Sequence, residues 1–193
     1  MKKRNHAPRI LLATATIALS ALASCTSEEG KPEPGSHSGP SEMLEEIALE
    51  GVDKLHACGG IFLASQPGEG AFTALKEKGV KTVINLRKPG EEVDFDEAKA
   101  LEELGLAYVA LPWNGPEEMT DELIDESRRL LRDAEKPLVL HCASSNRVGG
   151  LWIPYRVLDE GIPLDQAVAE AKQAGLKTAE YETRARAYIE ARQ

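Results

Sequence analysis

Residues 138–152 read Leu-Val-Leu-His-Cys-Ala-Ser-Ser-Asn-Arg-Val-Gly-Gly-Leu-Trp. The apolar run Pro137–His141 has strand length and ends directly on Cys142, a short polar loop follows, and Arg147 opens a helical stretch to about Glu160. Strand, tight loop and helix make the repeating step of a sheet with parallel strands. The same alternation extends in both directions. Upstream, Leu55–Cys58 and Ile61–Ala64 read as strands around Gly59-Gly60, and Pro67–Lys78 as a helix with Phe72 and Leu75 inward, stopped at Gly79. Val80–Leu86 is a buried strand rich in β-branched residues. Glu91–Leu104 is a helix stopped at Gly105, and Leu106–Leu111 is another strand. Thr120 caps a helix with Asp121 and Glu122 in its first turn and Leu123, Ser127, Leu130, Leu131 and Ala134 on its inner face. Helices at Pro163–Ala174 and Thr178–Ala191 follow, and Pro154 is expected to kink the helix after Arg147 through the carbonyl of Gly150. The expected fold is α/β, a mainly parallel central sheet flanked by helices, with ligands beyond the carboxyl ends of its strands. Cys142 stands at such an end.

The loop Cys142-Ala143-Ser144-Ser145-Asn146-Arg147 suits a tetrahedral oxyanion. Successive loop amides can form an anion nest, and the helix N-terminus adds unpaired donors. Arg147 offers a planar fork for two oxygens, and a cation at this end of a helix opposes the dipole unless an anion answers it. The same field favours the thiolate of Cys142, a nucleophile. The bland alternative is an inert buried thiol beside a surface arginine.

His141-Cys142 and Arg147 resemble the signature of cysteine-dependent protein phosphatases. Ser65-Gln66-Pro67, Val83-Ile84-Asn85-Leu86-Arg87 and the Leu111-Pro112 strand end resemble more closely a bacterial phosphatase-like family related to the β-lactamase-hydrolase-like proteins. The resemblance covers roughly residues 55–175. It implies a phosphatase-like fold, Cys142 as nucleophile, Arg147 as phosphate ligand, and His141, Ala143, Ser144, Ser145 and Asn146 as the phosphate-binding loop. Three departures stand out. Four residues separate Cys142 from Arg147 where well-studied tyrosine phosphatases have five, a spacing shared with rhodanese-type sulfurtransferases. Ser145 replaces the usual glycine, which at positive φ costs about 1 kcal/mol. Val148 stands where phosphatases carry a hydroxyl that eases thiolate departure, a part left to Ser144 or Ser145.

The resemblance also implies a general acid just past the Leu106–Leu111 strand. Asn114 or Gly115 occupies the place of the usual aspartate, so Glu117 or Glu118 is the expected donor, with Asp121 in reserve and Gly115 as a hinge. As helix-start acids these residues also have an ordinary stabilising role. Arg87 is expected to pair with Glu91 or Glu92, and Trp113 and Trp152 to pack rather than line a cleft mouth. Cys58 reads as core, with a bond to Cys142 as the alternative in an oxidising compartment. His6, His37 and His56 have no metal-ligand spacing, so neither metal nor other cofactor is expected.

The first 24 residues read as a lipoprotein signal: basic Lys2, Lys3, Arg4 and Arg9, a 13-residue apolar run Ile10–Leu22, and Leu22-Ala23-Ser24 before Cys25. This arrangement resembles the bacterial lipobox, which implies acylation of Cys25. Residues 25–42 form a tether, Thr26–Ser41 holding three prolines and three glycines, and 43–193 form the phosphatase-like domain. Without the signal the chain has 19 basic and 32 acidic side chains, a charge of −13. Such a body repels nucleic acid and anionic headgroups, so membrane attachment rests on acyl chains at Cys25, facing the periplasm or cell exterior. Three functions fit: a phosphomonoesterase acting on a phosphorylated substrate, a sulfurtransferase carrying a persulfide on Cys142, or a non-catalytic anion-binding module.

Overall fold

The computed structural model describes residues 43–193 apart from 92, all within one compact unit, His37–Gln193. The signal, Cys25, the tether and Glu92 lie outside the described residues. Six strands are described: β1 (Glu45–Glu46), β2 (Leu55–Cys58), β3 (Ile61–Ala64), β4 (Thr82–Asn85), β5 (Ala107–Ala110) and β6 (Leu138–His141). They form one sheet in the order β1-β2-β3-β6-β4-β5; β1, β2 and β3 pair antiparallel, and β3, β6, β4 and β5 pair parallel. The α/β expectation holds, with an antiparallel hairpin added at one edge. The helices are α1 (Glu69–Glu77), α2 (Glu97–Glu103), α3 (Asp121–Asp133), α4 (Asn146–Leu158), α5 (Leu164–Ala174) and α6 (Ala179–Glu190), with a 3₁₀ turn at Pro116–Glu118.

Alternation along the strands divides the core between the two faces of the sheet. Ile61, Leu63, Ile84, Leu138 and Leu140 join the layer of α3 to α6, whereas Phe62, Ala64, Val83 and Val139 join Phe72 and Leu75 of α1 and Leu101 of α2. Both faces of β6 are therefore dry, which its unbroken apolar run requires. Four strand ends lie in one row, since His141 is in register with Ala64 on one side and Asn85 on the other, and Asn85 with Ala110. The chain leaves that row at Ser65, Cys142, Leu86 and Leu111. Motifs up to 77 positions apart in sequence thus emerge at one edge of the sheet.

Several boundaries differ from those read in the sequence. α2 begins at Glu97, six residues later than expected, because the Asp96 side chain accepts the amide of Lys99 at 3.1 Å and starts the helix there. Glu91 is drawn off to arginines, as described below. Thr120 does cap α3, its hydroxyl accepting the Leu123 amide at 3.3 Å, but Ile124 joins Ser127, Leu130 and Leu131 inside while Leu123 is only partly buried. α4 runs through Pro154 as one helix. Trp113 and Trp152 are core residues. Cys58 pairs with Ile61 at the far end of β3, whereas Cys142 follows the row at its near end, so at about 3.3 Å per residue the two are beyond the 7 Å Cα separation a disulfide tolerates. Neither Cys58 nor Cys142 is in a disulfide. Among the described residues no helix is long and apolar enough to cross a membrane.

α4 is pinned behind the sheet by close approach and by charge. A Cβ on Gly149 would sit 2.9 Å from the Ala171 carbonyl oxygen and 2.7 Å from the Leu176 Cβ. Arg156, buried in α4, donates to both oxygens of Glu170 in α5 at 2.8 and 2.9 Å. Gly149→Ala would raise intrinsic helix propensity, yet the added methyl meets backbone that cannot yield cheaply. A net loss of about 1–3 kcal/mol is expected, measured as a lower midpoint in urea.

Candidate active site

Cys142 is the first residue past β6 and 1% exposed, at the base of the loop that joins β6 to α4. Three loop carbonyls are engaged: Ala143 by the Gln66 amide at 3.3 Å, Ser144 by Lys54 Nζ at 3.4 Å, and Ser145 by the Gly149 amide of α4 at 3.1 Å. Among the described residues the amides of Ala143 to Arg147 donate to no protein acceptor. With the carbonyls turned to the protein, those amides are the donor set an oxyanion needs. Asn146 ties the loop to the segment before α6, its Oδ1 accepting the amides of Lys177 and Thr178 at 2.7 and 3.1 Å and its Nδ2 donating to Thr178 Oγ1 at 2.8 Å.

Ser145 adopts φ 66° and ψ 4°, the left-handed region that the usual glycine would enter freely. The side chain is fully buried and its hydroxyl has no hydrogen-bond partner among the described residues. Gly175 makes room for it: a Cβ there would lie 3.1 Å from the Ser145 Cβ. Strain and an unsatisfied hydroxyl therefore meet at one loop position, a combination that marks functional backbone more often than structural backbone.

Arg147 turns its guanidinium back under the loop. Nη1 donates to the carbonyls of Leu86 at 3.0 Å and Trp113 at 2.8 Å, and to Glu91 Oε1 at 2.7 Å; Nη2 donates to Glu91 Oε2 at 2.6 Å. Nε and the second Nη2 hydrogen meet no oxygen among the described residues, and the Cys142 side chain lies within hydrogen-bonding reach of the same group. Burial works against the charge, but the bonds to Glu91 and the proximity of Cys142 outweigh it and hold the proton more firmly than usual. One edge of the fork is therefore braced and the other is left for a ligand. Glu91 also accepts the Lys88 amide at 2.8 Å and forms an ion pair with Arg87, whose Nε lies 3.4 Å away. Chiefly through the Arg147 hydrogen bond, its carboxyl is pushed down to about 2.

The pairing expected of Arg87 with Glu91 is present. That Glu91 also braces Arg147 was not visible in sequence, where the two stand 56 positions apart. His141, counted with the phosphate-binding loop in the sequence, is fully buried at the strand end and bonds Glu97 through Nε2 at 3.0 Å. Glu97 was missed altogether. A signal for it existed: it precedes the buried Leu101 by four residues and so shares the inner face of α2.

The three expected acids part company. Asp121 faces α6, held by Arg184 and by Arg192, and those arginines keep its carboxyl below the ordinary range. Glu118 accepts from Lys88 Nζ at 2.5 Å and the Asn114 amide at 2.8 Å, which lower it likewise. Glu117 is exposed on the 3₁₀ turn, its carboxylate folded back over Gly115, where φ is 87° and a Cβ would lie 2.8 Å from Oε2. The turn is anchored by the Gly115 amide on Tyr181 Oη at 3.2 Å and by Trp113 against the Tyr181 ring at 4.9 Å.

Residues 64–157 match the family described as beta-lactamase hydrolase-like protein, phosphatase-like domain. The chain is similar to the beta-lactamase hydrolase-like protein of Agrobacterium fabrum, 31% identical over 101 residues that make up 50% of this chain and 23% of that protein. It spans about a quarter of the length of the curated relatives it matches. Among solved structures it is similar to P. aeruginosa TpbA, with a TM-score of 0.61 and 21% identity over 79% of this chain and 91% of that one. A putative phosphatase from Neisseria meningitidis gives a TM-score of 0.57 and 22% identity over 67% and 93%. The fold is that of these phosphatases, and the matched family model is that of a phosphatase-like domain.

The Glu91 brace makes a pH-dependent prediction. A carboxyl lowered from 4.5 to about 2 in the folded state contributes stability that is complete above the higher value and is lost as pH falls toward the lower one. Glu91→Gln should therefore be less stable than wild type at pH 7, with the difference shrinking below about pH 4.5 and gone near pH 2. Urea unfolding at pH 7, 4 and 2.5 measures it; a difference independent of pH would show that the carboxylate charge has no part.

Proposed function

We propose that this domain hydrolyses phosphomonoesters through a cysteinyl-phosphate intermediate. The observation that carries the reading is the divided guanidinium of Arg147: one edge is fixed by Leu86, Trp113 and Glu91 while the other, beside Cys142, meets no protein oxygen among the described residues. In this reading the free edge and the amides of Ala143 to Arg147 take the phosphoryl oxygens. The Cys142 thiolate attacks phosphorus, the ester P–O bond breaks, and the leaving oxygen takes a proton from Glu117. Water then attacks the cysteinyl phosphate and gives a proton to the Glu117 carboxylate, the P–S bond breaks, and phosphate leaves as the thiolate is restored. Glu117 is assigned the proton because Glu118 and Asp121 are both held as anions by basic partners. The unpartnered Ser145 hydroxyl is assigned the part of easing thiolate departure. P. aeruginosa TpbA has been solved with phosphotyrosine, which makes that ester the first substrate to try.

Two features favour two other readings. The four-residue spacing from Cys142 to Arg147 suits a sulfurtransferase loop, and the strained Ser145 suits an anion-binding module without turnover. Parallel assays on p-nitrophenyl phosphate and on thiosulfate with cyanide separate the three. Release of nitrophenol that Cys142→Ser abolishes is expected; thiocyanate formation without it would replace the phosphatase reading. Glu117→Gln should slow phenyl phosphate about 10²–10⁴-fold and the nitrophenyl ester far less, because the better leaving group needs little protonation. Equal small effects on both would remove Glu117 from the reaction.

The same proposal places the domain outside the cytoplasm, anchored through acylated Cys25, on the strength of the basic head, the apolar run and the Leu22–Cys25 motif. A metabolic fatty-acid probe should label wild type and not Cys25→Ala. Undiminished labelling of the variant would overturn the anchor.

A further inference from the structure

Ser65-Gln66-Pro67 and Asn85-Leu86-Arg87 contribute no residue to the loop itself, yet Gln66 and Asn85 hold one buried carboxylate and Arg87 holds Gln66. Glu97 is 6% exposed; Oε1 meets His141 Nε2 at 3.0 Å and accepts from Asn85 Nδ2 at 2.9 Å, and Oε2 accepts from Gln66 Nε2 at 2.7 Å. Asn85 Nδ2 also reaches Tyr108 Oη at 3.2 Å. Gln66 Oε1 in turn accepts from Arg87 Nη1 at 2.6 Å, and Arg87 Nε lies 3.4 Å from Glu91, which chelates Arg147. A continuous line of side chains thus runs from His141 through Glu97, Gln66, Arg87 and Glu91 to Arg147. Its ends are the residue before Cys142 and the last residue of the loop. The Gln66 amide, in addition, holds the Ala143 carbonyl.

A carboxylate is costly to bury, and it persists only when donors satisfy it. Burial pushes Glu97 up, but hydrogen bonds from His141, Gln66 and Asn85 outweigh burial and leave it below the ordinary range. Because a carboxylate only accepts, Glu97 requires the proton of His141 on Nε2 and thereby fixes ring orientation and tautomer. An apolar residue would fill this place more cheaply. What the carboxylate adds is geometry: it joins the two ends of the loop through side chains with little freedom to move.

We propose that Glu97 is a positioning residue for the anion loop. Through His141 it fixes the strand end that carries Cys142, and through Gln66, Arg87 and Glu91 it fixes the guanidinium of Arg147. The inference rests on the reading of the loop as an oxyanion site with Cys142 as its nucleophile.

The test uses the full-length chain and needs no turnover. Cys142 alkylation by iodoacetamide is followed against pH by mass spectrometry of its own peptide, and tungstate affinity by titration calorimetry. Glu97→Gln replaces an acceptor with an NH₂ that must face one of three donors. The ordered loop amides that favour the thiolate then loosen, so alkylation near pH 6.5 should slow, its pH profile should move upward, and the tungstate Kd should rise about 10–100-fold. Gln66→Met cuts only the branch to Arg147: tungstate should weaken while the alkylation profile stays near that of wild type. The exposed Glu103→Gln should match wild type in both. A folded Glu97→Gln with wild-type profile and Kd overturns the inference. If Glu97→Gln does not fold, Gln66→Met decides, and an unchanged tungstate Kd overturns it. Wild type that binds no tungstate overturns the oxyanion site itself, and the role of Glu97 falls with it.

Discussion

The parallel register of β6 between β3 and β4 is the constraint on which the site depends. His141 stands in one row with Ala64 and Asn85, so Cys142 leaves the sheet beside Ser65 and Leu86. Side chains alternate across a strand, and a slip of one residue would exchange the faces on which Leu138, Leu140 and Val139 are buried. The slipped sheet would push His141 off Glu97 and lift Cys142 away from the Leu86 carbonyl that helps to hold Arg147. Hydrophobic burial over both faces therefore does more than stabilise the domain. It sets the chemical register of the loop.

Arg147 shows how the protein makes use of an unfavourable position. A cation at the first turn of a helix opposes the helix dipole. Here two main-chain carbonyls and Glu91 meet the charge from one side, and a loop of uncommitted amides lies on the other. The bound edge cannot swing, so the free edge is aimed in advance, which is how preorganised donors become more effective than mobile ones. Ser145 carries a related cost. Its positive φ is the conformation that lets the loop turn into α4, and Gly175 leaves the space its side chain needs.

Much of this was legible in the sequence, and for identifiable reasons. Short apolar runs flanked by glycine marked β2 and β3 to the residue, since Leu55–Cys58 and Ile61–Ala64 carry a two-residue turn between them. Thr120 announced α3 by its capping chemistry. Local pattern failed where a local signal was outcompeted from a distance. Glu91 looks like the start of α2, but two arginines claim its carboxylate and Asp96 caps the helix instead. Asp121 looked like a spare acid near the loop, yet Arg184 and Arg192, more than 60 positions away, turn it toward α6.

The sequence by itself determined the alternation of strand and helix, the strand that ends on Cys142, and the loop chemistry from Cys142 to Arg147. These follow from hydrophobic period, capping residues and side-chain type, all of which act within a few positions. Tertiary structure alone decided that Glu91 braces Arg147, that Glu97 lies behind His141, and that Cys58 and Cys142 stand at opposite ends of the sheet. The two contacts join residues 44 and 56 positions apart, and only the register of the sheet and the packing of α2 against it determine which distant side chains meet.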